Sequence, residues 1–393
     1  MMWEKVKLGD CCTSITDGDH QAPPKSKDGI PFITIANIDQ FNSIDFTNTM
    51  HVPKDYFDSL DSKRKPHVGN IIYSVVGSFG IPVYIKNDDM FTFQRHIAIL
   101  KCKENINSRF LYYVMKSRAF YHQADSVAIG SAQKTITLSA LRDMEVHLPE
   151  RKVQNKIASI LSAYDDLIEN NRRQMKLLEE AAERLYKEWF VKFHYPNRML
   201  KNNHFNLKDR TRVSLDSMGV YINGYAFKPS DWQTSGYPII KIKEMMQGIE
   251  QDTPRNNGKL IPGKYVIPPG TIIFSWSATL DVKIWGQETG LLNQHLFKVI
   301  PKRQYGREFV YQSIKTSIRG MENLTSGSTM KHIQRGKLKE LYVDIPDMKI
   351  VKKYNEITNF MRNEILNLQA KNIFLQEARD RLLPKLMSGE VEV

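Results

Sequence analysis

Two glycine-led segments combine hydroxyl, amide and ammonium groups within five positions. They are Gly130-Ser131-Ala132-Gln133-Lys134 and Gly327-Ser328-Thr329-Met330-Lys331. Glycine lets backbone N–H groups approach a phosphate, glutamine can bond adenine through two hydrogen bonds, and lysine reaches a phosphate or a guanine edge. The segments therefore predict nucleic-acid contacts, with a simple hairpin turn as the alternative. The side chains concerned are Ser131, Gln133, Lys134, Ser328, Thr329 and Lys331.

Further polar and aromatic candidates lie at corresponding places in the two halves of the chain. Residues 16–27 correspond to 221–228, and residues 95–96 correspond to 294–295, in each case just before an apolar run. A histidine at such a place is often a structural residue, which remains the alternative. The candidates for DNA contact from these segments are His20, Lys25, Arg95, His96, Tyr225, Lys228, Gln294 and His295.

Signatures of catalysis are missing from the sequence. It contains no Gly-x-x-x-x-Gly-Lys-Ser/Thr phosphate loop, no His-Glu-x-x-His and no Asp/Asn-Pro-Pro-aromatic motif of an amino-methyltransferase. Residues 17–20, Asp-Gly-Asp-His, could form a metal loop, but a turn is the better interpretation. The three cysteines, Cys11, Cys12 and Cys102, cannot all pair and show no Cys-x-x-Cys spacing. We therefore predict no catalytic residue, no metal site and a reducing cytoplasm.

The elements that must position these loops occur twice in the chain. The stretch that ends at Pro149 is repeated by the one that ends at Pro346, a shift of 197 residues that also maps residues 178–185 onto 375–382. Further matches follow the same order, namely residues 29–35 with 236–242, 69–74 with 270–275, and 94–96 with 293–295. A duplication explains this order, so each half should contain a mixed globular domain followed by a long helix.

Two long helices are predicted from apolar spacing. Apolar residues recur at steps of three and four over residues 153–189 and again over 350–386, near the coiled-coil period. Pro196 should stop the first helix, and Pro384 should end or bend the second. Each apolar seam needs a partner, and the simplest partner is the other seam in an antiparallel pair. The alternative is that each helix packs on its own globular domain.

The globular parts show short β-branched runs separated by Gly, Pro, Asn and Asp, with one helical segment in each. Strands are predicted at residues 32–35, 71–76, 83–85, 97–100, 239–242 and 271–274, and helices at 108–120 and 309–318. We predict an α+β fold class, with two tandem mixed α/β domains of curved or barrel-like sheet at 1–149 and 200–346. Long helices at 150–199 and 347–393 should pair as an antiparallel coiled coil, which would relate the domains by an approximate two-fold axis.

The charge distribution favours an anionic partner. The chain of 393 residues carries a net charge of +13 and has a pI of about 9.4. Residues 1–61 are net negative, whereas the excess of Lys and Arg lies in residues 62–150 and above all in 200–346. Two separate polyanion-binding surfaces explain this pattern, and a generally basic protein is the alternative. No apolar run is long enough for a membrane span, and the N-terminus lacks the apolar core of a signal peptide.

This organisation resembles the specificity subunit of type I restriction–modification systems. The resemblance rests on duplicated α+β domains, each followed by a long helix, and on residues 178–190, Leu-Glu-Glu-Ala-Ala-Glu-Arg-Leu-Tyr-Lys-Glu-Trp-Phe. A degenerate second copy of this helix motif ends at residues 383–389, Leu-Pro-Lys-Leu-Met-Ser-Gly. The resemblance covers nearly the whole chain, although the globular halves match only in pattern. It implies that each globular domain is a target recognition domain for one half of a gapped double-stranded DNA sequence.

The same resemblance implies partners and cofactors. Two methyltransferase (modification) subunits would bind S-adenosylmethionine and methylate adenine, and restriction subunits would add translocation and cleavage driven by ATP with Mg. This chain would have no active site and would bind no cofactor itself. Because the two domains differ in sequence, we expect an asymmetric target.

Two other functions remain open from the sequence. A coiled-coil scaffold whose globular heads bind proteins would show no salt-dependent affinity for DNA. A self-contained nuclease or methyltransferase would turn over when Mg²⁺ or S-adenosylmethionine is added to the chain alone.

Overall fold

The computed structural model describes residues 3–39, 41–131, 133–196, 210–277, 279–322 and 335–393, so that the candidates Ser328, Thr329 and Lys331 lie outside the described residues. The chain folds into two compact units. One unit comprises Met1–Leu167 with Leu375–Val393, and the other comprises Ile168–Phe374. Each unit therefore contains one globular domain together with parts of both long helices.

The first globular domain contains nine strands and four helices in its described residues. The strands are β1 (Glu4–Lys7), β2 (Cys12–Asp17), β3 (Ile30–Ile33), β4 (Met50–Val52), β5 (Ile71–Ser74), β6 (Pro82–Tyr84), β7 (Thr92–Phe93), β8 (Ile97–Cys102) and β9 (Glu145–Leu148). The helices are α1 (Lys54–Ser59), α2 (Ser108–Lys116), α3 (Arg118–Val127) and α4 (Leu138–Asp143). The strands form an antiparallel sheet in the order β2-β8-β5-β6, a second sheet in the order β4-β3-β7, and the pair β1-β9. Strand β7 runs parallel to β3.

The central strands are apolar on both faces because each face covers a different core. Ile71 and Tyr73 of β5 belong to the core that contains Phe110 of α2. Their neighbour Ile72 points to the opposite face and belongs to a second core with Phe93 of β7. Successive residues of a strand point to opposite faces of its sheet, so this continuous apolar run is what a doubly covered sheet requires.

The first long helix is α5 (Arg151–Tyr186), which continues as a π-helical turn at Lys187–Val191. The prediction that Pro196 stops this helix is wrong, because helical backbone ends at Val191. Phe193 has a φ of 60°, a left-handed conformation that breaks the helical hydrogen-bond ladder before proline is reached. Trp189 and Phe190 at the end of the helix are buried in the core of the second domain.

The second globular domain repeats the arrangement of the first. Its strands are β10 (Thr211–Ser214), β11 (Gly219–Asn223), β12 (Tyr237–Ile240), β13 (Arg255–Asn256), β14 (Val266–Ile267), β15 (Ile272–Ser275), β16 (Asp281–Ile284), β17 (Gly290–Leu292), β18 (Leu296–Pro301) and β19 (Tyr342–Ile345). Its helices are α6 (Ile242–Gln247) and α7 (Arg307–Glu322). The sheets have the orders β11-β18-β15-β16, β13-β12-β17-β14 and β10-β19. Strand β17 runs parallel to β12, as β7 does to β3, which agrees with the duplication.

The two faces of the second four-stranded sheet are covered in the same way. Ile272 and Phe274 of β15 belong to the core with Phe309 of α7. Ile273, between them in the sequence, belongs to a separate core with Leu292 of β17. The repeated sequence pattern at residues 69–74 and 270–275 is therefore the pattern of a central strand buried on both faces.

Three local predictions differ from the structure. The predicted helix at 108–120 is divided into α2 and α3, because the Ser117 hydroxyl accepts a hydrogen bond from the Phe120 N–H and begins a new helix. The predicted strand at 239–242 ends at Ile240, since Glu244 accepts a hydrogen bond from the Lys241 N–H and caps α6. The strands of each domain form three hydrogen-bonded sheets rather than one curved sheet.

The second long helix is α8 (Met348–Met387), and Pro384 lies inside it. Of the two effects predicted for Pro384, ending or bending the helix, the first is wrong, because the helix extends three residues further to Met387. Leu383 and Leu386 are buried in the core of the first domain, and this burial holds the last turn in place. The same core includes Ile157 of α5.

The helices pair in antiparallel orientation within the second unit. Asn171 of α5 donates a hydrogen bond to Asn372 of α8 at 2.8 Å, and the Tyr354 hydroxyl of α8 donates to the Ala182 carbonyl at 3.1 Å. Residue numbers thus rise along one helix while they fall along the other, as predicted. The alternative, in which each helix packs only on the domain that precedes it, is wrong, because the last turns of α8 belong to the first unit.

Candidate nucleic-acid interface

A close crossing of two segments organises the loops at one end of the first domain. After β2, the Gly18 N–H donates to the Ile97 carbonyl and the Asp19 N–H donates to the Phe93 carbonyl, both at 3.2 Å. A Cβ atom on Gly18 would lie 2.0 Å from the Phe93 oxygen, so this crossing requires glycine. The Arg95 N–H donates in return to the Asp19 carbonyl at 3.2 Å. The segment that carries His20 is therefore fixed against the turn that carries Arg95 and His96.

The glycine-led loop at residues 129–135 joins the same edge. The Val75 N–H donates to the His96 carbonyl at 2.9 Å, and the Gly77 N–H donates to the Lys134 carbonyl at 2.9 Å. Gly130 has a φ of 97°, which suits glycine in this turn. We call the loops at 17–20, 75–80, 93–97 and 129–135 the first rim.

The carboxylates of the first rim are satisfied by their own neighbours. Asp19 accepts hydrogen bonds from the Tyr56 hydroxyl at 2.5 Å and from the Arg64 guanidinium at 3.3 Å. Burial, followed by the contact with Asp19, raises the pKa of Tyr56. Asp17 pairs with His20 at 2.8 Å. The Arg64 cation therefore compensates the negative charge of Asp19 within the rim.

The cations and amides predicted to bind DNA lie on the exposed side of the first rim. Arg95 is exposed, and within the described part of the chain its guanidinium has no hydrogen bond or ion pair. Burial and the nearby charge of Arg95 lower the pKa of His96, which favours a neutral imidazole near pH 7. Lys134 pairs with Asp125 and lies 5.9 Å from the Phe79 ring centroid. The exposed side chains of the glycine-led loop also include those of Ser131 and Gln133.

The second domain contains the same crossing. The Gly224 N–H donates to the Leu296 carbonyl at 3.0 Å, and the Tyr225 N–H donates to the Leu292 carbonyl at 2.8 Å. A Cβ atom on Gly224 would lie 2.1 Å from the Asn293 oxygen. We call the segments at 223–227, 275–277 and 292–296 the second rim. It brings together Tyr225, Gln294 and His295, three of the residues singled out from the sequence.

Amide and aromatic groups dominate the second rim. The Trp276 indole N–H donates to the Asn223 side-chain oxygen at 3.2 Å. The Ser277 hydroxyl lies 3.2 Å from His295 Nδ1. Gln294 Oε1 is buried without a hydrogen-bond partner in the described part of the chain. An acceptor left in this state carries a desolvation penalty that a ligand could relieve.

Tyr225 adds an aromatic cluster to the second rim. Its ring lies 4.9 Å from the Phe227 ring and 5.5 Å from the Tyr265 ring, measured between centroids. Because aromatic faces stack on nucleobases irrespective of the sequence, this cluster suits contact with DNA as well as packing. It therefore supports the choice of Tyr225 as a candidate for DNA contact.

Sequence reasoning missed Trp276 and Ser277, and it included Asn223 only as part of the candidate segment 221–228. The repeat offered a signal for the two missed residues, because they directly follow Ser275, the counterpart of Ser74 in the first copy. Two residues predicted to contact DNA take no part in the hydrogen bonds that define the rims. Lys25 and Lys228 are both exposed on the connections that follow β2 and β11.

The described residues were also compared with the expectations for metal sites, reactive cysteines and membrane-spanning helices. Within the described ranges no group of three or more His, Cys, Asp or Glu side chains could hold a metal ion. Burial raises the pKa of the Cys11 thiol to about 11, which disfavours the nucleophilic thiolate. Cys12 lies opposite Cys102 in the β2–β8 ladder, and both are free thiols. Among the described helices, none combines the length and the apolar character needed to cross a bilayer.

Comparisons with known proteins identify relatives over nearly the whole chain. Residues 2–180 and 208–372 match a family described as the type I restriction modification DNA specificity domain. The type I restriction enzyme MjaIX specificity subunit of Methanocaldococcus jannaschii is 25% identical over 313 residues, which cover 74% of this chain and 71% of that protein. The HindI specificity subunit of Haemophilus influenzae is 21% identical over an alignment of 466 positions, which covers 99% of both chains.

A solved structure shows the same fold. The crystal structure of the type I restriction–modification system S subunit from M. genitalium superimposes with a TM-score of 0.56 and 15% sequence identity. The match covers 98% of this chain and 96% of that one. The likeness therefore extends over both globular domains and both long helices.

Proposed function

The chain belongs to the family of type I restriction modification DNA specificity domains, and from this premise we propose that it recognises one gapped, asymmetric double-stranded DNA sequence. Each globular domain reads one half of that sequence. In this role the chain is the specificity subunit of a type I restriction–modification complex and directs the partner subunits to their target.

The observation that carries this proposal is the same glycine crossing in both domains with different side chains around it. Gly18 and Gly224 each hold the chain against the turn before a central strand, so both domains present a rim of the same backbone form. The first rim exposes Arg95 and a lysine-containing loop, whereas the second contains amides and half-buried aromatic rings. A shared scaffold with unlike side chains is what two readers of unlike half-sites require.

The paired segments of α5 and α8 supply a means of fixing the gap between half-sites. Asn171 and Asn372 are buried and bonded to each other, and this pair fixes the register of the helices. We propose that the helices hold the readers at a set separation, so that binding of the second half-site becomes effectively intramolecular. The half-sites must then follow the helical pitch of DNA.

We assign the covalent chemistry to partner subunits rather than to this chain. Two methyltransferase subunits with S-adenosylmethionine would methylate adenine, and restriction subunits with ATP and Mg would translocate and cleave DNA, in the cytoplasm where the host DNA lies. The assignment rests on the family resemblance and on the missing catalytic motifs in the sequence. A methyltransferase must rotate its adenine out of the base stack, so the task of this chain would be to hold the duplex.

The test is to assemble the chain with its methyltransferase partner and supply S-adenosylmethionine and a random DNA library. Sequencing of the methylated adenines should reveal one gapped sequence with two unlike halves. Methylation without sequence preference would contradict the proposal. The chain alone, incubated with S-adenosylmethionine or Mg²⁺, should show no turnover, whereas turnover would favour the self-contained enzyme. Affinity for DNA that does not fall with salt would favour the protein-binding scaffold.

A further inference from the structure

We infer that Arg95 reads a guanine in the half-site of the first domain, and that Gln294, at the same place in the second domain, reads an adenine. The inference rests on the proposed function, because it names the bases that the two rims select. Arginine bonds guanine through O6 and N7, and glutamine bonds adenine through N6 and N7, each with two hydrogen bonds in the major groove.

The backbone around Arg95 is fixed before any ligand binds. The Arg95 N–H donates to the Asp19 carbonyl at 3.2 Å. On one side of it the Gln94 N–H donates to the Ile33 carbonyl at 3.1 Å, and on the other the Ile97 N–H donates to the Gln94 carbonyl at 3.0 Å. A turn held in this way loses little conformational entropy on binding, which favours a contact of defined geometry.

The guanidinium of Arg95 is available for such a contact. It is exposed and has no hydrogen bond or ion pair among the described residues. Two acids of the same rim already have partners, because Asp19 is bonded to Tyr56 and Arg64, and Asp17 is paired with His20. The first rim therefore presents a guanidinium on a fixed backbone, with donors that no described residue uses.

The second domain favours a base contact at this place over a phosphate contact. The Asn293 N–H donates to the Ile240 carbonyl at 3.0 Å and the Leu296 N–H donates to the Asn293 carbonyl at 3.0 Å, so the turn repeats two of the hydrogen bonds of the first domain. The place of Arg95 is taken by the half-buried Gln294, a neutral side chain that cannot neutralise a phosphate. Arginine and glutamine share the ability to read a purine edge.

The unpartnered Oε1 of Gln294 fits the same assignment. This atom is buried and accepts no hydrogen bond from the described residues. Rotation of the amide toward an adenine would give Oε1 the N6 amino donor while the amide nitrogen donates to N7. Binding would thus remove a penalty that the free protein carries.

The experiment first identifies the target of the wild-type complex by sequencing methylated adenines in a random library. The complex with Arg95→Gln is then compared with a matched control, Arg118→Gln, which changes an exposed arginine at the start of α3. Arg95→Gln should lower the preference for guanine at one position of one half-site by about 5- to 150-fold and raise that for adenine. The other half-site should not change, and the control should match the wild type.

Two more variants separate a base contact from a phosphate contact. Arg95→Lys keeps the charge but loses the planar fork, so it should weaken guanine discrimination while the salt dependence of DNA binding stays constant. Gln294→Arg should change adenine to guanine at one position of the other half-site. Uniform weakening of all sequences by Arg95→Gln with a lower salt dependence would overturn the inference, as would unchanged discrimination. A wild-type complex without any sequence preference would instead refute the proposed function.

Discussion

Replacing Arg362 by methionine is expected to lower the free energy of unfolding of the full chain by about 3–5 kcal/mol. Arg362 of α8 is only 4% exposed, and its guanidinium lies 3.2 Å from Glu308 of α7 and 2.8 Å from Glu179 of α5. Its charge also lies 5.0 Å from the Tyr311 ring centroid. The residue therefore connects three helices of the second unit through buried charges.

The size of the loss in unfolding free energy follows from the contacts that Glu308 and Glu179 keep after the substitution. Glu308 is 1% exposed and would keep only Arg307, whose Nε lies 3.0 Å away. Glu179 would keep the Tyr311 hydroxyl at 2.6 Å and Lys315 at 3.7 Å. The main loss of stability thus comes from the buried Glu308 carboxylate, whose negative charge would be compensated less well. Replacing both Arg362 and Glu308 by apolar residues should recover most of the loss, because a buried pair is often no more stabilising than apolar packing.

The loss should depend on pH. Burial raises the pKa of Glu308, and Arg362 opposes that rise. A carboxyl whose pKa is higher in the folded chain than in the unfolded chain favours folding at low pH, and this contribution is lost as the pH rises through the two pKa values. Without Arg362 the folded pKa of Glu308 increases further. The destabilisation should therefore be larger at about pH 8 than at about pH 4.5.

Urea unfolding of the full chain, followed by circular dichroism at both pH values, measures these effects. Arg381→Met is the matched control, because Arg381 lies on the same helix with its side chain 82% exposed and 4.0 Å from Glu377. The control should change the free energy of unfolding by less than about 1 kcal/mol. A loss below about 1 kcal/mol for Arg362→Met, or an equal loss at both pH values, would refute the reasoning.

Three further perturbations test the interface and the spacer. Lys134→Ala and Lys331→Ala should each weaken DNA binding and reduce its salt slope by about one, measured by titration at several salt concentrations; an unchanged slope would mean that these loops are only turns. Inserting a few residues near Asn171 should alter the preferred gap in the methylation assay but not the half-sites, and altered half-sites would count against a spacer role. Gly18→Ala should abolish selection of the first half-site, since the new Cβ would lie 2.0 Å from a carbonyl oxygen. Gly263→Ala, which meets nothing within 4 Å, is its control and should leave both half-sites intact.

Features that depend on local spacing were predictable from the sequence. The duplication aligned the turn at 94–96 with the turn at 293–295 in the sequence. In the structure the two turns share two backbone hydrogen bonds. The long helices follow from apolar residues at steps of three and four. Their ends did not follow from proline positions, because the left-handed backbone at Phe193 ends the first and burial of Leu386 holds the second together beyond Pro384.

Contacts between distant residues were not predictable in this way. Apolar spacing placed Met361 on the seam of the second helix, whereas its neighbour Arg362 is the buried residue. An arginine is buried there only because Glu308 and Glu179 come from other helices to compensate its charge. Likewise, Asp19 pairs with Tyr56 and Arg64, which lie 37 and 45 positions away, and no local sequence pattern predicts these contacts.

The sequence by itself determined the repeated plan, the helical periodicity and the loop types, because these depend on residues close together in the chain. The tertiary structure alone decided which polar groups satisfy each other and which remain free for a ligand. That outcome depends on the close approach of residues tens to hundreds of positions apart. At Gly18 and Gly224 the backbone of a distant segment comes so close that no Cβ atom fits, and the rims are built around these two crossings.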